Sequence, residues 1–109
     1  MFFDLKSVQP KERRIVFKIV DTAGTPSLTF GGFQMTITDQ GVGDYLLTLN
    51  DPGAADCLAV VSAAQDSRIV RVGTCTVSSV QILVDDLAGT AADGDVIGEI
   101  FVFGSLDQV

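Results

Sequence analysis

A chain of 109 residues is long enough for one domain that buries roughly two-thirds of the surface its unfolded form exposes. With 47% of its residues apolar, the composition excludes a disordered polymer. The formal net charge of −7 argues against nucleic acid as the main partner, since phosphate binding needs a basic surface.

The charge is unevenly spread. Lys6, Lys11, Arg13, Arg14 and Lys18 precede residue 19, and only Arg68 and Arg71 follow it, against twelve carboxylates. Two positive minus twelve negative gives the body −10. Residues 1–12 therefore read as an extended basic arm, and 13–109 as a single β domain. In the arm, Phe2, Phe3 and Leu5 stand beside Lys6, Lys11, Arg13 and Arg14. Such a segment can bury aromatics in a groove while its cations pair at the rim, which makes it the candidate docking element on an acidic surface; a disordered terminus is the alternative. The opening MFFDLKSVQPKERR places its charges after the apolar pair and has no long apolar segment. It does not read as a secretory signal, and folding in a cytoplasm is expected.

Arg14 to Asp21 is a β-rich run that ends in the loop TAGTPS. Phe33, Met35 and Ile37 alternate with Gln34, Thr36 and Thr38, the period-2 pattern of a sheet with one wet face. Asp39-Gln40-Gly41-Val42-Gly43 supplies a turn, and Tyr45, Leu47 and Leu49 return as the second strand of a hairpin. Asn50-Asp51-Pro52-Gly53 is a second turn signal. Strands are expected next at Cys57 to Ser62, Arg68 to Thr74, Thr76 to Val84 and Val96 to Phe103; a helix over AADCLAVVSAA is the alternative for the first, because Ala and Leu favour one. About seven short antiparallel strands with Gly- and Asp-rich turns predict an all-β sandwich or barrel, jelly-roll-like in outline. The longest apolar runs, Cys57 to Val61 and Ile100 to Phe103, are far shorter than the ~18–20 residues of a membrane helix, so no membrane partner is expected.

The last strand is apolar on both sides, with Phe101 and Phe103 on one and Ile100 and Val102 on the other. Such a strand is either central and covered twice or part of a subunit contact. A subunit contact is the preferred reading, because a small domain has trouble covering both faces alone. Arg68 and Arg71, the only cations in an acidic body, are candidates for binding carboxylates across an interface; local charge balance on an exposed strand is the alternative.

Little in the sequence suits catalysis. With no histidine, Ser-His-Asp and Cys-His arrangements are excluded within one chain. All three lysines lie in or beside the arm, where a base is poorly held. The stretch Asp21-Thr22-Ala23-Gly24 is similar to the Asp-x-x-Gly of small GTPases, but no G-x-x-x-x-G-K-[ST] loop precedes it. It is also similar to an aspartic-protease corner, which Ala23 interrupts; a polar strand-to-turn exit is the plain reading. Asp85, Asp86, Asp93, Asp95 and Glu99 form the densest acid cluster, but their spacing does not match a calcium loop. Cys57 and Cys75 cannot make a structural zinc site alone. A disulfide between them is geometrically possible if their strands are neighbours; two buried thiols acting as small hydrophobes is the expected state in a reducing compartment. No enzyme activity, cofactor or metal is expected.

Taken together, GVGDYLLTLND, CLAVVSA, SRIVRVGTCTVSSVQILVDD and DGDVIGEIFVFG resemble small β-structured virion proteins of tailed bacteriophages over about residues 30–104. The resemblance implies a capsid decoration (cement) protein or head appendage, often trimeric, that binds the major capsid protein or another virion protein. It would be made in the host cytoplasm and located on the capsid surface, stiffening the lattice. Tail or fibre modules for attachment or for receptor or glycan binding are the alternative that the same resemblance implies.

Overall fold

The computed structural model describes residues 10–32, 34–50 and 54–106. These form eight strands: β1 (Pro10–Thr22), β2 (Thr25–Phe30), β3 (Met35–Asp39), β4 (Asp44–Leu49), β5 (Ala54–Ala63), β6 (Arg68–Cys75), β7 (Ser79–Asp86) and β8 (Val96–Leu106). All pairings are antiparallel, in two four-stranded sheets of order β2-β1-β8-β5 and β3-β4-β7-β6. The all-β sandwich expected from the alternation is what forms. β5 is a strand, as preferred over the helix.

Alternation decides which side of each strand meets the other sheet. From the first sheet, Ile15, Phe17, Ile19, Val96, Ile100 and Val102 point inward; from the second come Met35, Tyr45, Leu47, Leu49, Val80, Ile82 and Val84. These are the buried hydrophobic residues, each stabilising by roughly 1.5–3 kcal/mol for a fully buried large side chain. Phe17 pairs with Gly98 across β1 and β8. A Cβ at Gly98 would lie 2.7 Å from the Phe17 ring and 2.6 Å from the Val60 carbonyl. The glycine is thus the space into which the ring is laid.

Two expectations change. The segment read as the loop TAGTPS is a two-residue turn followed at once by β2, with Thr22 paired to Thr25. Ala23 (φ 53°) and Gly24 (φ 86°) both take positive φ, the type I′ geometry that matches strand twist. Ala-Gly is an unusual sequence for it; the carboxylate of Asp21 helps by accepting from the Gly24 N–H at 2.9 Å. A jelly roll, in addition, pairs first with last strand, second with seventh, third with sixth and fourth with fifth. Only the first of those pairs, β1 with β8, occurs here.

β1 starts inside the segment read as an arm. Pro10 pairs with Leu106 and Glu12 with Phe103, so residues 10–12 belong to the sheet. Phe2, Phe3, Leu5 and Lys6 lie outside the described residues.

Candidate functional site

The outward face of the β2-β1-β8-β5 sheet can be built from the pairing register alone. Across β1, β8 and β5 the rows are Arg14–Phe101–Leu58, Val16–Glu99–Val60 and Lys18–Ile97–Ser62. Every one of these side chains is opposite in parity to the buried set. Val16, Leu58, Val60 and Ile97 are exposed, Leu58 and Val60 by 54% and 58%, and Phe101 is half-buried. At the centre, Glu99 forms an ion pair with Arg14. A shallow groove lies along this grid, lined by Val16, Val60, Ile97, Glu99 and Phe101 with Gly98 and the Val61–Ser62 segment. The sandwich interior is filled from the opposite side of the same strands, so these apolar groups add nothing to the fold's own core. Five apolar side chains on three adjacent strands form a contiguous patch of the kind that marks contact surfaces.

Several site expectations are corrected by this geometry. Ile100 and Val102, assigned to a subunit contact, are core residues, 0% and 2% exposed, because β8 is central and the second sheet covers that side. Phe101 and Phe103 lie on the other, open side, both half-buried. Arg68, a candidate for an interface or for local charge balance, donates within the chain from Nε to the Asp93 carbonyl at 2.7 Å and from Nη1 to the Ser67 carbonyl at 3.0 Å. Arg71 lies 3.6 Å from Asp85, balancing charge within the chain. Arg13 and Arg14, assigned to the docking arm, belong to β1 opposite Val102 and Phe101. The backbone of Lys11 is also in β1. Val16, Leu58, Val60, Ile97 and Glu99 were not singled out from the sequence. The signal was present in the alternation of RIVFKIV, where Val16 falls on the wet face, and in the unbroken apolar run Cys57 to Val61.

In the acid cluster, Asp85 and Glu99 face Arg71 and Arg14, and the other three carboxylates accept from backbone amides. Asp93 Oδ1 accepts from the Gly43 N–H at 2.9 Å, and Asp95 Oδ1 from the Asp21 N–H at 2.9 Å. Asp86 Oδ1 accepts from Ala88 and Thr90. Among the described residues, no group of three carboxylates, thiols or imidazoles could hold a metal ion. Asp21 is a strand-to-turn exit, as expected; its second oxygen accepts from the Tyr45 hydroxyl at 2.6 Å, and that hydroxyl accepts from the Gly94 N–H at 3.3 Å. Tyr45 is fully buried, so its hydroxyl ties β4, β1 and the β7–β8 loop together from inside.

Burial pushes the Tyr45 phenol above the ordinary tyrosine range, and its hydrogen bond to Asp21 pushes it further. The folded state therefore holds the proton more tightly than the unfolded one. This contribution is complete below the unfolded value of about 10 and is lost as pH rises past it, because only the unfolded chain then releases the proton. Tyr45→Phe is expected to lose about 1–3 kcal/mol at neutral pH. Between about pH 9 and 11, urea unfolding should show a shallower decline for Tyr45→Phe than for the native chain; parallel declines would contradict this account.

Cys57 and Cys75 sit at one lateral edge of the sandwich, with Sγ atoms 3.0 Å apart. Their strands are not neighbours in one sheet: β5 ends the first sheet and β6 the second. Nor are both thiols buried, since Cys57 is half-buried and Cys75 exposed.

Comparison with known proteins finds no matching family model, curated protein or solved structure.

Proposed function

We propose that this chain is a structural virion protein: a capsid decoration (cement) protein that associates as a homotrimer and stiffens a phage head lattice by binding its major capsid protein, with no catalytic role. The observation that carries this reading is the outward grid of Val16, Leu58, Val60, Ile97 and Phe101 around the Arg14–Glu99 pair. A face of this kind favours protein over nucleic acid or a small substrate, because its recognition would come from apolar area and one charge pair. The acidic body keeps the protein soluble and limits non-specific association until a complementary surface is met. The resemblance over residues 30–104 supplies the particle context, and the described strands β3 to β8 span most of it.

Light scattering at micromolar concentration tests the self-association, and co-sedimentation with assembled heads tests the attachment. The expected results are a mass near three chains and pelleting at a stoichiometry close to that of the major shell subunit. A monodisperse monomer would overturn the trimer. A trimer that stays in the supernatant would overturn the decoration role.

A further inference from the structure

We propose that Cys57 and Cys75 are a disulfide-forming site that locks the two sheets together in response to a low-molecular-weight disulfide such as oxidised glutathione. This inference does not rest on the assembly reading above.

Three observations place the thiols for it. Cys57 pairs with Val102 across β5 and β8 and shares that residue's inward face. On β6, Val70 and Val72 pair with the inward Val84 and Ile82, but the register then shifts, and Cys75 pairs with the inward Val80. Strict alternation would send residue 75 outward from Val72. The irregularity at Gly73–Thr74 restores it to the inner side, as bulges re-aim side chains. The outcome is two Sγ atoms 3.0 Å apart, one from each sheet.

β5 and β6 share no backbone ladder because they belong to different sheets. They lie next to each other, with half-buried side chains such as Ala59, Val61, Val70 and Val72 packed on the core. In the reduced protein, the Cys57 S–H donates to the Thr76 carbonyl at 2.7 Å. Burial and the hydrogen bond with Cys75 push its thiol above the ordinary range. The exposed Cys75 is accordingly the thiol that meets reagent first.

The exchange balances in two steps. Cys75, as thiolate, attacks one sulfur of the reagent disulfide, forming a mixed disulfide and expelling one reagent thiolate. Cys57 then loses its proton and attacks the Cys75 sulfur, expelling the second. The two cysteine thiols are oxidised to one disulfide, and the reagent is reduced to two thiols. The closed loop runs from residue 57 to 75, long enough to restrict the unfolded chain substantially.

Incubating the native chain with oxidised glutathione, then alkylating and weighing the intact protein, reads the outcome. The expected product is a monomer lacking two hydrogens, unreactive to alkylation, with a thermal midpoint raised by roughly 10 °C. Dithiothreitol should reverse the rise, and Cys75→Ser, a change at an exposed site, should show none. Thiols that stay alkylatable would overturn the proposal. So would glutathione adducts or cross-linked dimers in place of the internal bond, or an internal bond that leaves the midpoint unchanged.

Discussion

Gly43→Ala is expected to be the most damaging single-methyl change in this sandwich, removing about 4 kcal/mol or more from a total that for such domains is roughly 5–15 kcal/mol. Gly43 has φ +65°, and a Cβ there would lie 2.3 Å from the Val84 carbonyl oxygen, 2.8 Å from that of Ala92 and 2.9 Å from the Ala92 nitrogen. All three obstacles are backbone, so no rotamer can relieve them. The same glycine accepts from the Val84 N–H at 2.8 Å and donates to Asp93 Oδ1 at 2.9 Å. It therefore joins the β3–β4 turn to the end of β7 and to the β7–β8 loop. Displacing it would break bonds to two other segments. Gly41, two residues earlier in the same turn, is the control: it has φ +133° with nothing within 4 Å of its would-be Cβ. Gly41→Ala should incur backbone strain alone, about 1–3 kcal/mol. Urea unfolding followed by circular dichroism separates the two, and equal midpoints for both variants would show that the crowding at Gly43 is unimportant.

That contrast also shows where sequence reading succeeds and stops. Both glycines were legible as turn residues between two alternating strands, and the hairpin from Met35 to Leu49 forms with Tyr45, Leu47 and Leu49 inward. What the sequence could not show is that Val84 and Ala92, some forty to fifty residues away, close around only one of them. Long-range crowding carries no local signal. Tyr45 is a similar case: its burial follows from alternation, but its partners Asp21 and Gly94 lie on other segments. The β1–β2 turn was hidden for a local reason, because Ala23-Gly24 lacks the Asn or Asp that usually announces positive φ at the first position. Sheet order was illegible as well. After β2, β4, β5 and β7 the chain changes sheets, and no pattern in the connecting residues distinguishes a crossing from a hairpin.

The final strand poses the sharpest ambiguity. Ile100, Phe101, Val102 and Phe103 are all apolar, and apolarity on both sides reads alike whether each face meets a second sheet, a second molecule or water. Pairing resolves it: Ile100 and Val102 fill the core, whereas Phe101 joins Val16, Leu58, Val60 and Ile97 on the open face. If the open face makes the proposed contact, fold and association are controlled from opposite sides of one strand. They should be separable by substitution.

Val60→Lys is the substitution that separates them. Val60 is 58% exposed and stands directly across from Glu99 in the β5–β8 register. A lysine there faces a carboxylate, a cross-strand pairing worth roughly 0.2–1 kcal/mol in a monomer. Stability should therefore stay within about 0.5 kcal/mol of the native value. In an associated state the same ammonium would be confined among Val16, Ile97 and Phe101, a desolvation that apolar neighbours do not offset. If this face makes the contact, the loss should reach at least about 2 kcal/mol, near thirtyfold in dissociation constant. Light scattering should then report a folded monomer at concentrations where the native chain is oligomeric. Ile100→Lys, by contrast, would place the charge in the core and should unfold the chain rather than disperse it. A Val60→Lys protein that remains oligomeric at those concentrations would move the contact away from this sheet.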